Sequence, residues 1–242
     1  MTRLKVSLFL AGVYLVAAMY AVSLDQQVTV TARVDFSAGP AKQPADASNV
    51  VVWLDPIGNP SDVKPPSGPQ RRQLLQKNKI FSPHLLVVQV ESPVDFPNQD
   101  PFFHNVFSLF DGKRFDLGLY EAGATRTVVF NRSGISYIFC NIHPEMSAVV
   151  IALKTPYYGV SERNGSIEIP NVPPGRYELH VWHERVLPET LNSLTHAVVI
   201  SEASSSLGVI HLAEQRSLSQ SHKNKYGKDY DPLPDGTAYP KR

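Results

Sequence analysis

Beyond the first 23 residues, the apolar runs in this chain are short. They are rich in Val, Ile, Phe and Tyr, and Pro, Gly or Asn cuts them before a long amphipathic helix could form. Runs of this kind, separated by turn residues at regular spacing, specify short strands and an all-β sandwich architecture. Residues 27–36 (QVTVTARVDF) alternate apolar and polar, and 49–54 (NVVVWL) form a second run stopped by Asp55-Pro56. Strands are expected next at 79–81, 85–90, 93–96, 104–110, 115–118, 125–130, 136–139 and 147–153. After Pro156 they are expected at 157–161, 166–169, 176–182, 196–200 and 208–212. Residues 37–48 and the proline-rich stretch 58–72 read as irregular connections. Helical turns are conceivable only at 71–77 and 187–194. Residues 214–242 read as an extended polar tail laid over the surface.

A chain of 242 residues, 43% hydrophobic, can bury a real core, as one large or two small domains. The charges nearly cancel, with 23 basic against 22 acidic residues, so neither a nucleic-acid binder nor a polybasic membrane-surface protein is indicated. The first 23 residues have the form of an export signal. Arg3 and Lys5 precede an uncharged run over 6–22, and Ala21-Val22-Ser23 supplies the small residues of a cleavage site. The competing reading is an uncleaved anchor, since the run is close to the lower length limit for a span. Either reading places the folded part outside the cytoplasm, in the periplasm or secreted.

Cys140 is the sole cysteine, so it makes no internal disulfide. Its choices are a buried thiol, an intermolecular link, a nucleophile or a metal ligand. Its neighbours are Phe139-Cys140-Asn141-Ile142-His143-Pro144-Glu145-Met146, set between two apolar strands. One thiolate, two imidazoles and a weak axial thioether are what a blue-type copper site requires. The loop offers Cys140, His143 and Met146. The second imidazole must come from a remote strand, and His104, within Phe102-Phe103-His104-Asn105-Val106-Phe107, is the candidate. Zinc fits less well, because thioether is a poor zinc ligand. A Cys–His nucleophile leaves Met146 without a role and shows no acid to orient the histidine.

Residues 78–155 resemble a cupredoxin of the plastocyanin and amicyanin group. The C-x2-H-x2-M loop matches the short amicyanin form. Phe96-Pro97-Asn98 followed by His104-Asn105 resembles the upstream histidine segment, and Gly134 to Cys140 resembles the penultimate strand. The resemblance implies a Greek-key sandwich holding one type 1 copper ion through His104, Cys140, His143 and Met146. It implies that Asn105 donates its backbone N–H to the cysteine sulfur and braces the ligand loop with its side chain. It further implies that His143 presents an exposed ring edge as the electron port. The activity implied is one-electron transfer to a redox partner protein, not catalysis.

Among the other histidines, His84 begins a strand close to the expected site and is a minor ligand candidate. His180 and His183 flank Trp182. Tyr177, Leu179 and Val181 are expected to point inward, His183 to continue that row, and His180 to face the other way. No second cluster supports a metal there.

Asn164-Gly165 is a hairpin signal, and Pro173-Pro174-Gly175-Arg176-Tyr177 is a turn leading into a strand. With 49–54, these residues resemble a carboxypeptidase regulatory-like (transthyretin-like) sandwich. On that reading 27–56 and 157–213 form one discontinuous sandwich, with the cupredoxin inserted in or packed on it. Proteins of this combined type are labelled methylamine-utilisation or plastocyanin-like. The competing function is copper delivery, or a scaffold without redox traffic. Delivery proteins favour Met-rich surfaces, and two of the three methionines here, Met1 and Met19, lie in the leader.

Overall fold

The computed structural model describes residues 27–36, 46–58, 70–109, 111–213 and 222–230. The expected export signal and most of 214–242 lie outside the described residues. Among those described, strands dominate and one short helix is present, so the fold is all-β. No helix among them is long and apolar enough to cross a membrane.

The chain opens with β1 (Val28–Phe36) and β2 (Val51–Pro56). A central set follows: β3 (Arg72–Gln73), β4 (Leu75–Lys77), β5 (Ile80–Ser82), β6 (Leu85–Gln89), β7 (Ser92–Pro97), β8 (His104–Ser108), β9 (Phe115–Tyr120), β10 (Thr125–Phe130), β11 (Gly134–Cys140) and β12 (Ser147–Leu153). The chain closes with β13 (Tyr158–Val160), β14 (Ser166–Val172), β15 (Gly175–Trp182), α1 (Pro188–Ser193), β16 (His196–Ile200) and β17 (Ser206–Leu212). The stretch 71–77, for which a helical turn was conceivable, is extended instead. Arg72 and Gln73 pair with Val94 and Asp95, and Leu75 to Lys77 pair with β5. Tertiary pairing outweighs the local propensity there.

The central strands form a sandwich. One sheet has the order β6-β12-β11-β8-β9 and the other β10-β7-β3. Val88, Val94, Phe96, Val106, Val128, Phe130, Ile138 and Val150 fill the space between them. The flanking strands form two further sheets, β14-β1-β17 and β13-β2-β15-β16, around a second apolar cluster. The strands bordering the central set are direct neighbours. β2, which enters it, pairs antiparallel with β13, which leaves it, with Tyr158 opposite Trp53. The Leu54 amide also donates to the Tyr157 carbonyl over 2.9 Å. The strands on either side of the central set in sequence are therefore side by side.

β12 (SAVVIAL) reads as a continuous apolar run because both its faces are covered. Ala148, Val150 and Ala152 face the central core, while Val149, Ile151 and Leu153 join the flanking cluster. Each large side chain buried this way contributes about 1.5–3 kcal/mol. The same period of two in β11 aims Ile138 and Cys140 into the central core and Ile135 and Tyr137 towards the flanking one.

In the flanking part, Gly165 has φ +82°, the left-handed geometry a tight hairpin demands. Tyr177, Leu179, Val181 and His183 are all buried, whereas His180 is only partly buried. The Pro-Pro-Gly-Arg-Tyr turn closes on itself, because the Tyr177 hydroxyl donates to the Pro173 carbonyl over 2.7 Å.

Candidate metal centre

Cys140 closes β11, His104 opens β8, and His143 and Met146 lie in the connection to β12. The pairing of β11 with β8 sets Cys140 opposite Val106, two residues from His104. That register brings the remote histidine to the loop. The loop is held by its own backbone. The Cys140 amide donates to the Met146 carbonyl over 3.3 Å, the Met146 amide to the His143 carbonyl over 3.1 Å, and the Asn141 amide to the Asn105 carbonyl over 2.8 Å.

Three donor atoms converge. The Nδ1 atoms of His104 and His143 are 3.1 Å apart, and Cys140 Sγ is 3.6 Å from the first and 3.5 Å from the second. A point at the centre of that triangle lies about 2.0 Å from all three, the length of a metal–imidazole bond. All three residues are buried, and they are the one such grouping of metal-binding side chains among the described residues. Met146 is fully buried in the same core as Cys140. The site is thus prearranged for a cation that takes nitrogen and sulfur.

Protonation states fit that use. Burial pushes the His104 imidazole below its ordinary value, partly offset by the Asp100 carboxylate. Burial also opposes charge on Asp100. The backbone N–H of Lys79, the His104 ring and the backbone N–H of Asn78 outweigh it and hold the carboxyl below the usual range. Asp100 is therefore an anion that can only accept. His104 Nε2, 2.9 Å away, donates to it and leaves Nδ1 as a free lone pair aimed at the cluster. His143 is pushed down to about 4, first by burial and then by His104, so it too is neutral at ordinary pH. Burial raises the Cys140 thiol, while the N–H groups of Asn105, Ile142 and His143 favour the thiolate. A buried thiol with a raised pKa is a poor nucleophile, but those amides suit a sulfur that loses its proton to a metal.

Two expectations are corrected, and His84, the minor ligand candidate, is placed elsewhere. His143 is 3% exposed, so its ring is not an open port; Phe102 lies against both histidine rings with centroids 5.4 Å away. The Asn105 side chain does not brace the ligand loop. It donates to Asp116 over 2.7 Å and to the Gly118 carbonyl over 2.9 Å, both in β9, while the Asn105 carbonyl receives the loop amide. His84 is no ligand. Its Nε2 is 2.7 Å from Glu184 and its Nδ1 is 3.2 Å from the Ser147 carbonyl.

Asp100, a direct partner of His104, is among the residues of the site that the sequence reading missed. It lies four residues ahead of His104, a spacing open to reading. Asn98 aims it: the Asn98 side chain donates to the Phe102 carbonyl over 2.8 Å and accepts the Asp100 amide over 3.0 Å.

No protein-family model matches the chain, and no curated protein matches it. Solved structures match part of it. A purple cupredoxin from Nitrosopumilus maritimus is 23% identical, with a TM-score of 0.31 over 34% of this chain and 99% of that one. A Cu(I) amicyanin variant is 16% identical, with a TM-score of 0.32 over 42% of this chain and 98% of that one. A Cu-containing nitrite reductase from Thermus scotoductus is 19% identical, with a TM-score of 0.34 over 41% of this chain but only 25% of that one.

Proposed function

We propose that His104, Cys140 and His143, with Met146 as a weak axial partner, hold one type 1 copper ion and that the protein carries single electrons. The convergence of two imidazole Nδ1 atoms and one thiol sulfur in a buried pocket carries this reading. Bound there, copper would supply a one-electron Cu(I)/Cu(II) couple. The chain's own residues would keep the site rigid and dry. Phe102 and the central core exclude water, Asp100 fixes the His104 ring, and the loop's backbone bonds limit rearrangement between the two charge states. Met146 suits copper better than zinc, because a thioether favours the softer metal.

We read the protein as a carrier rather than an enzyme. It works outside the cytoplasm with a partner protein, and the leader-like start of the sequence supports that placement. We also read the flanking strands, 27–56 and 157–213, as a carboxypeptidase regulatory-like sandwich interrupted by a cupredoxin at 78–155. The pairing of β2 with β13 supports this, since an inserted domain needs entry and exit side by side.

Loading the protein with one equivalent of Cu(II) tests the copper reading. The expected result is an intense visible charge-transfer band that bleaches reversibly on reduction and is absent from Cys140→Ser. A colourless adduct would favour delivery or adventitious binding and would overturn the carrier reading.

A further inference from the structure

Residues 222–230 lie directly over the ligand loop, although nothing in their sequence marks them as part of a metal site. The Tyr230 hydroxyl donates to the Cys140 carbonyl over 2.6 Å. The Lys225 amide donates to the Asn141 side-chain oxygen over 2.9 Å. The His222 ring stacks on Phe139, the residue before Cys140, with centroids 4.0 Å apart and planes 25° from parallel. Tyr230 meets His222 edge-on at 5.2 Å. The segment is also tied to itself, by Lys223 to Asp229 and by the Asn224 and Lys228 backbones, whose bond is 2.9 Å.

Lys225 also makes a second connection. Its ammonium is 2.8 Å from Asp116 in β9, and the other oxygen of Asp116 accepts from Asn105, next to His104. One residue therefore links the hairpin that delivers His104 to the loop that delivers Cys140 and His143. The Cys140 carbonyl and the Asn141 side chain both take partners from this segment.

We propose that residues 222–230 are a clasp of the metal centre, with Lys225 and Tyr230 as positioning residues that fix the spacing between the His104 hairpin and the ligand loop. This rests on the reading of His104, Cys140 and His143 as a copper centre, but the clasp acts on the metal-free protein too. Its two bonds to the loop bear on local opening of the backbone, and His222 shields the Phe139 side of Cys140 from water.

The test uses the full chain, as Tyr230→Phe, Lys225→Met and the double variant. In metal-free protein, amide hydrogen exchange at Asn141 and Met146 is expected to speed up about two- to tenfold in Tyr230→Phe, which loses the bond to the Cys140 carbonyl, and in Lys225→Met, which keeps its backbone bond to Asn141 but loses the one to Asp116. The amide of Val128, on the far sheet, should exchange as before. In copper-loaded protein the charge-transfer band and the EPR hyperfine splitting should shift together with the exchange rates. Unchanged exchange and unchanged spectra in Tyr230→Phe, the mildest of the variants, would overturn the clasp. A wild-type protein without the copper band would sink the copper reading alone, and the exchange rates would still decide the clasp.

Discussion

His104 Nε2 lies 2.9 Å from the Asp100 carboxylate, with both side chains buried. The carboxylate fixes the ring's tautomer and places negative charge beside a group expected to bind a cation. Asp100→Asn should therefore weaken copper binding about 10–100-fold and raise the reduction potential by removing charge that favours Cu(II). Competition with a chelator and potentiometry would measure the two effects. Asp100→Ala also strips the acceptor from the Asn78 and Lys79 amides and should cost a further 1–3 kcal/mol or so of stability.

His84 and Glu184 join the start of β6 to the segment after β15. Glu184 raises the His84 pKa above its ordinary 6.5. A base whose folded pKa is raised contributes fully below the unfolded value, and the contribution fades as pH rises through the folded value. The melting temperature of metal-free protein should thus fall between about pH 6 and pH 9 more in wild type than in Glu184→Gln. The difference should shrink in high salt, because the imidazole is 44% exposed. An identical pH dependence in both proteins would remove this pair from the account.

His183 acts in the opposite sense. Burial pushes it down to about 4, and its Nδ1 has no hydrogen-bond partner among the described residues. Its contribution is complete above 6.5 and is lost as pH falls towards 4, because the unfolded chain takes up the proton first. His183→Leu should be nearly neutral at about pH 8 and should flatten the acid limb of the stability curve. Denaturant melts across that range would show it.

The strand pattern was legible because the apolar runs and their turn residues agree. Thr125–Phe130, Ser147–Leu153 and His196–Ile200 fall where alternation and turn residues place them. The meeting of Cys140, His143 and His104 was legible because one short segment carries the thiol and one imidazole, and His104 sits among aromatics. Asp100, Lys225 and Tyr230 were not found. Their roles depend on register between distant strands, and a carboxylate or hydroxyl in a polar stretch has the same sequence appearance whether it meets solvent or a ligand. The exposed-port expectation for His143 failed for a related reason, since no sequence spacing shows that Phe102 folds over the ring.

Gly165 offers a simple check on the flanking part. A Cβ there would lie 2.3 Å from the Val34 carbonyl oxygen, and the backbone sits at φ +82°. Gly165→Ala should lose about 1–3 kcal/mol by thermal or urea unfolding. A neutral result would mean that β1 and the turn before β14 do not meet as described.

X-ray absorption at the copper edge of the singly loaded protein would test most directly whether His104, Cys140 and His143 hold the ion together. The predicted first shell is two imidazole nitrogens and one short sulfur, with that sulfur lost in Cys140→Ser and one nitrogen lost in His104→Ala. A shell of oxygen atoms, or a short sulfur that survives the cysteine replacement, would contradict it.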